Sequence, residues 1–563
     1  MSDAQPNLPS DLATCHEMIK SLMAEMETLR KLLSHLVNGS RSEKRILDSP
    51  GQGLLPFETQ EEFEAAKEEA EVEAKQTIEK YEVQRHERKT KRRSESLPAD
   101  LPRVEVPVEV DDSLRNCPTH GERRQIGEDI VETLVVVPSK AYVEVRRYAK
   151  FACDDDKNCG VASPERPTSL TEGNRYSPSV AAAVIDYKWG QYIPIYRQQD
   201  LFAACGWTPR RSTLLNLVEA AEFAVDPLLE LMKRRVQQDI GVGIDETSCR
   251  MLLPKFDPEL DPSDPKSVRL AEKLREARAK GDKSLLAKMW AYSGLYEAQY
   301  NIFDFRVSRH RDGPEDFFRD SRCKVQGDCF SGNQSVVLRS DGRLEFVACW
   351  SHARRKVAEA LTYEKESEQL VGMIQALYDI ETRAKQYSAE QRQQLRARDS
   401  VAVLNSIRKW IDSPVVAEVF PKSDFGEALR YIRNHWRALN VFVEDGRIPI
   451  DNNQVEQLMK QVALGRKAWL FVANVASGER SAKMMSLLSS ARRHDLDSRA
   501  YVEDILRQLL DGCTDYERLL PDVWKQSHPE AIRAYRQEER RDKADRKQYN
   551  AARRRKLRRQ LLS

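Results

Sequence analysis

The first apolar pattern along the chain is a seam. Leu12, Cys15, Ile19, Leu22, Met26, Leu29, Leu33 and Leu36 recur at alternating spacings of three and four. That is the a/d repeat of a leucine-zipper-like coiled coil, predicted over residues 8–40 and implying a homo-oligomer. An amphipathic helix packed on the chain's own body would show the same pattern. Asn38-Gly39-Ser40 ends it. Residues 41–110 read as linker and charged helix. Pro50, Gly51 and Gly53 open the segment, no broad apolar face follows, and Pro98, Pro102 and Pro107 close it.

Residues 176–236 read as helical. A helix from Tyr196 to Cys205, a turn at Gly206-Trp207-Thr208-Pro209 and a second helix from Ser212 to Ala224 have the layout of a helix-turn-helix DNA-binding region. Arg210, Arg211, Ser212 and Thr213 open the second helix, where base-edge and phosphate contacts are made. An ordinary helical hairpin capped by Ser212 or Thr213 fits the same residues.

From Asp239 the period changes. Ile240–Thr247, Trp290–Tyr296, Tyr300–Val307, Lys324–Gly327 and Leu344–Trp350 read as strands. A charged helix, Arg269–Ala287, interrupts the first two, and Pro314–Asp320 is a short helix. The order of strands and helices is RNase H-like. It predicts a multidomain α+β protein whose α/β core spans 237–356 and 447–512 around a helical insertion, 357–446. Leu370, Ile374, Leu377 and Ile380 mark one face of that insertion. After Ile450-Asp451-Asn452-Asn453 comes a helix carrying Glu456, which Asp451 or a neighbouring Asn can cap.

Composition adds bounds. At 563 residues several domains are expected, and 40% hydrophobic residues suffice for a sizeable core. Net charge is only +2, so basic clusters are local: Arg85 to Arg93, and the end of a C-terminal tail, 513–563, at Arg553–Arg559. No signal peptide and no membrane span is expected, so a cytoplasmic protein is the default expectation. The ten cysteines are scattered except in a unit at 111–165. There Cys117 and His120, then Cys153 and Cys159, flank the strand-like stretches Glu132–Val137 and Ala141–Arg147. Four such ligands suit a structural Zn²⁺; unligated cysteines are the plainer alternative.

The candidate chemistry lies in three acids. Asp245 ends an apolar strand, Asp328 ends a short one, and Glu456 rides the later helix. In an RNase H-like sheet the first strand is central and the fourth lies beside it. Acids at the ends of both face one edge, and a helix can lay a third across it. Three converging carboxylates suffice to hold Mg²⁺ or Mn²⁺ for phosphoryl transfer on DNA.

Several blocks carry a resemblance. Ile450-Asp-Asn-Asn-Gln-Val-Glu456 with Val462-Ala-Leu-Gly-Arg-Lys467 and Phe471, and Ala348-Cys-Trp-Ser-His-Ala-Arg-Arg-Lys356, resemble the large DDE transposase of the insertion-sequence-66 family. Gly243-Ile-Asp-Glu-Thr247, Gln326-Gly-Asp328, and Ile195-Tyr-Arg-Gln-Gln199 with Arg211-Ser-Thr-Leu214 look like further blocks of it. The resemblance implies a catalytic triad Asp245, Asp328 and Glu456, and a zinc unit at Cys117, His120, Cys153 and Cys159. It implies cleavage at element ends and strand transfer, with double-stranded DNA (terminal inverted repeats and target) as partner. Small accessory proteins of the same element are further expected partners. Lys460, Arg466 and Lys467 are candidate phosphate contacts, or else a solvated helix face. The chain departs from the family at His120, where a second Cys is usual, and at Gln457, where Arg commonly follows the Glu. A transposase-derived regulator without catalysis, and an RNase H-like nuclease without strand transfer, are the competing readings.

Overall fold

The computed structural model describes residues 176–562, except 256, 257, 259 and 362–365, together with short stretches between 116 and 171. The zipper seam, the charged segment after it, His120, Cys153 and Cys159 lie outside the described residues. Two small ladders stand among those short stretches. β1 (Asn116–Cys117) pairs antiparallel with β2 (Gly121–Glu122), and β3 (Phe151–Ala152) with β4 (Val161–Ala162). Ala141–Arg147, expected as a strand, has no regular structure and is exposed. Among the described residues nothing pairs with it, and a strand without a partner is not stable.

Helices α1 (Pro178–Ile185), α2 (Ile195–Ala204) and α3 (Arg211–Gln237) follow. α3 runs far beyond Ala224. Its apolar positions continue at helical spacing through Val225, Leu228, Leu229, Met232 and Val236, all buried, and they carry the helix past Pro227. Arg210 is the N-cap, so Ser212 and Thr213 sit inside the first turn and cap nothing. Arg210, Arg211 and Ser212 are exposed and Thr213 is half-buried. One face of α3 is core from Leu214 to Val236, and the opposite face, with Phe223, Glu230 and Arg234, is exposed.

The centre is a five-stranded mixed sheet in the order β7-β6-β5-β8-β9. Its strands are β5 (Gly241–Leu252), β6 (Ser284–Gly294), β7 (Asn301–Arg306), β8 (Cys323–Gly327) and β9 (Leu344–Ala348). β6 runs antiparallel to both β5 and β7, while β8 lies parallel to β5 and β9 to β8. β6 starts earlier than expected and the charged helix ends sooner. Helix α4 (Pro265–Ala279) is capped by the Asp264 carboxylate, which accepts the Lys266 and Ser267 N–H groups. The left-handed Gly281 then turns the chain, freeing Leu285, Ala287 and Met289 to alternate inward as strand. Short helices α5 (Asp312–Phe317) and α6 (Ser331–Leu338) lead into and out of β8. Trp350 belongs not to β9 but to helix α7 (Trp350–Ala360); it is fully buried, and its indole N–H donates to the Leu439 carbonyl at 2.7 Å.

Beyond α7 the chain is helical. α8 (Glu366–Arg383), α9 (Val401–Ile411) and α10 (Asp424–Asn434) build a second apolar core against β9 and α7. The chain returns through Ile448 and Ile450 into α11 (Asn453–Trp469), then α12 (Val475–Arg493) and α13 (Ser498–Leu510). α12 covers the free edge of β7. The Ser486 hydroxyl accepts the Phe303 N–H at 2.8 Å and Ser490 that of Asn301 at 3.0 Å, so hydroxyls one helical turn apart serve backbone groups two residues apart. An exposed strand edge would invite foreign pairing, and this one is closed. Leu519, Leu520, Trp524 and Ala531, at the start of the segment read as a tail, are buried on the core. No described helix is long and apolar enough to cross a membrane.

Candidate active site

The parallel strands bring the first two acids level. β5–β8 pairing runs through Gly243 opposite Gln326, so two residues further on Asp245 and Asp328 stand at the same height. Asp328 follows directly after β8, and the turn holds it. Its Oδ1 accepts from Asn333 Nδ2 at 2.9 Å and more loosely from the Phe330 N–H at 3.4 Å.

Glu456 is brought over that edge by a stitched segment. Gln326 donates to the Pro449 carbonyl at 2.6 Å, and the Trp350 N–H donates to that of Ile450 at 3.2 Å. The Asn452 N–H donates to Cys349 Sγ at 3.2 Å, and its Nδ2 to the Ile244 carbonyl at 2.9 Å. β5, β8 and the β9–α7 junction therefore all grip residues 449–452, one turn before Glu456. Asn452 stands at the N-cap but its side chain caps nothing; Asp451 accepts the Asn453 N–H instead, at 3.2 Å. Close approach is required here. A Cβ on Gly243 would lie 2.4 Å from Val455 Cγ2 and 2.8 Å from Asn452 Oδ1, so only glycine lets α11 settle on β5.

The electrostatics are those of crowded anions. Burial pushes the Asp245 carboxyl up to about 7, and the charges of Glu246, Asp328 and Glu456 push the same way against one N–H from Glu246. Glu456 Oε1 is buried without a hydrogen-bond partner. Rim cations answer part of this charge. Arg355 Nη2 stands 3.5 Å from Glu456 Oε2, and Arg309 reaches Asp328 at 3.5 Å while pairing with Glu246. The three carboxylates do not close on a single point, since their oxygens do not all lie within 4.8 Å of one another. Acidic groups that repel one another, with a buried oxygen left unanswered, suit divalent cations, and spreading beyond one point suits more than one ion.

This strain has a measurable sign. An aspartate ordinarily titrates near ~3.9, so between about 4 and 7 folded Asp245 retains a proton that the unfolded chain has lost. Stability falls as pH rises through that window, and the loss is complete above it. With metals chelated, Asp245→Asn is therefore expected to raise the melting temperature at pH 8 and to do so less at pH 5. Three pH units correspond to ~4 kcal/mol at most, and partial solvent access leaves about 1–3 kcal/mol. Thermal unfolding in EDTA at both pH values checks this; a lower melting temperature for the variant at pH 8 contradicts it.

The remaining candidates separate. Arg466 turns inward, donating to the Ser248 carbonyl at 2.6 Å and to Thr247 Oγ1 at 3.1 Å, so it braces β5. Lys460 and Lys467 are exposed on α11. Arg210 is the N-cap of α3 and Arg211 opens it, and Arg211 Nε donates to Gln199 at 3.0 Å across the turn. Of Cys117 only the backbone is described. Sequence reasoning gave Glu246 no role of its own and did not single out Arg309 or Asn333. The Arg309 guanidinium lies 3.6 Å from the Phe330 ring centroid, and only the folded 307–312 loop brings it there.

The Transposase IS66 family model matches residues 173–259 and 273–480 of the chain. All three carboxylates fall inside those segments. A second model, Transposase C of IS166 homeodomain, matches residues 25–106. Curated relatives include the uncharacterized protein y4jD of Sinorhizobium fredii (strain NBRC 101917 / NGR234), 28% identical over 536 residues, 93% of this chain and 98% of the relative. The uncharacterized protein y4hP of the same organism is 25% identical over 535 residues, covering 90% of this chain and 89% of its own.

Proposed function

The chain belongs to the IS66 transposase family, and on that premise we propose that it is an active DDE enzyme, cutting DNA at the terminal repeats of its element and joining the freed ends to target DNA. The observation that supports this reading most is that the charges of Asp328 and Glu456 both bear on the buried Asp245 carboxyl, beside the paired strands β5 and β8. The sheet supports an RNase H-like core: its first strand, β5, is central, and its fourth, β8, lies beside it.

Asp245, Asp328 and Glu456 would hold Mg²⁺ or Mn²⁺. Such ions, when bound, supply activation of water or a 3′-hydroxyl and neutralise charge on the leaving oxygen. The protein's own part is positional. Asn333 fixes the Asp328 carboxylate, and the 449–452 stitch fixes the helix that carries Glu456. Arg355, half-exposed at the rim, is placed to meet a phosphate. Lys460, Lys467 and the start of α3, with Arg210, Arg211, Ser212 and Thr213, offer further polar contacts for DNA. The match at 25–106 adds a second candidate DNA-binding region, overlapping the predicted zipper. A structural Zn²⁺ at Cys117, His120, Cys153 and Cys159 is part of the same proposal. Its support is that Cys117 ends β1 and His120 directly precedes β2, and that the second pair lies between β3 and β4 in the chain.

The test is a joining assay with DNA carrying the element's ends, a target plasmid and Mg²⁺. Joined products are expected. Cleavage without joining would favour the nuclease, and end binding without cleavage the regulator.

A further inference from the structure

Beside the carboxylate edge lies a group of different chemistry. Cys349 is the N-cap residue of α7 and His352 stands three positions on, so both side chains belong to the helix's first turn. The His352 N–H donates to the Cys349 carbonyl at 3.2 Å, which fixes that turn. Glu456 approaches from α11. Ligand atoms of Cys349, His352 and Glu456 all lie within 4.8 Å of one another. His352 Nδ1 and Glu456 Oε1 face each other at 3.6 Å, and both are buried with no hydrogen-bond partner. Buried polar atoms left without partners are costly, so the pair invites a ligand.

We propose that Cys349, His352 and Glu456 bind one thiophilic divalent cation of the zinc class, and that this occupancy withdraws Glu456 from the carboxylate cluster and silences the enzyme. Silencing rests on the role proposed above for Glu456; binding does not.

The donor set selects the ion. Thiolate and imidazole favour Zn²⁺ or Co²⁺, whereas Mg²⁺ prefers oxygen. Tetrahedral zinc, with bonds of about 2.0–2.3 Å, holds its ligands roughly 3.3–3.8 Å apart, so the pocket needs only slight closure. Binding releases the Cys349 thiol proton to solvent and leaves imidazole neutral, so charge and protons balance. The Asn452 N–H already donates to Cys349 Sγ and would do so more strongly to a thiolate. Arg355 faces Glu456 Oε2, which leaves Oε1 for the ion. Three protein ligands leave a fourth position for water.

The experiment uses the full chain, stripped of metal and titrated with Co²⁺, alongside Cys349→Ser and His352→Asn. His352, whose side chain is partly exposed, provides the second variant if Cys349→Ser folds poorly. Cys117, Cys153 and Cys159 contribute equally to all three proteins and cancel in the difference. Wild type is expected to bind one more equivalent than either variant, with an added thiolate-to-cobalt band that Cys349→Ser lacks. Equal stoichiometry and equal spectra would overturn the site. In the joining assay, micromolar Zn²⁺ over millimolar Mg²⁺ is expected to reduce wild-type product ~10-fold or more relative to its own zinc-free reaction, and each variant far less, following the order of metal affinities. Equal zinc sensitivity would overturn the silencing. If wild type joins nothing even without zinc, the proposed function fails while the cobalt difference still decides the site.

Discussion

Asp245→Asn, Asp328→Asn and Glu456→Gln are each expected to abolish DNA cleavage and joining while leaving end binding nearly intact. Each substitution keeps shape and removes one negative charge from the sheet edge where the three acids meet. If each carboxylate helps hold an ion at the reacting phosphate, its loss forfeits several kcal/mol of transition-state stabilisation, so a fall of at least ~10³-fold is expected. Binding is expected to change far less, since affinity for DNA is carried mainly by phosphate contacts away from the metals. Product yields on end-bearing DNA, paired with gel-shift affinities, separate the two. The substitution Asp328→Cys sharpens the test. It should be inactive in Mg²⁺ and partly restored in Mn²⁺, which accepts sulfur more readily than Mg²⁺ does. Joining that survives any one of the isosteric changes removes that residue from the site.

The acids were legible in the sequence because an apolar run, a short strand and a helix start flag their positions, although β5 continues to Leu252 and Asp245 lies inside it rather than at its end. Asp245 closes an apolar run and Glu456 follows a helix start. What holds them was less legible. The Gln326, Asn452 and Cys349 bonds join residues more than a hundred positions apart, and no periodicity carries such pairing. The boundary errors have physical causes as well. Charged residues at 269–287 suggested one helix, but Gly281 breaks it and β6 begins at Ser284. α3 outran its expected end because burial of one face outweighs an internal proline. Ala141–Arg147 has the alternation of a strand, yet alternation supplies no partner.

The helical segment between α7 and α11 supplies the second large effect. Arg396 is fully buried and faces the Glu381 carboxylate through both Nε and Nη2, at 2.7 and 2.8 Å. Its Nη1 lies within 2.9 Å of three backbone carbonyls, those of Phe442, Asp445 and Ile448. Arg396→Met would strand a mostly buried carboxylate and those carbonyls together. Breaking a buried pair from one side typically costs ~3–5 kcal/mol, so this substitution is expected to be the most destabilising single change in the helical core. Arg396→Lys keeps the charge but loses the planar fork, so it recovers only part of the loss. Adding Glu381→Gln to Arg396→Met should recover part as well, because the uncompensated charge is gone. Hydrogen exchange across 366–450 and thermal unfolding read both effects; a loss below ~0.5 kcal/mol would mean that the pair carries little of the core. The consequence reaches further than stability. Phe442, Asp445 and Ile448 lead directly into the stitched residues 449–452, so a slack 442–448 loosens the grip that sets Glu456 over the strand ends. Joining activity should then fall more than the folded fraction does. Equal losses would mean that the helical segment supports the fold without aiming Glu456.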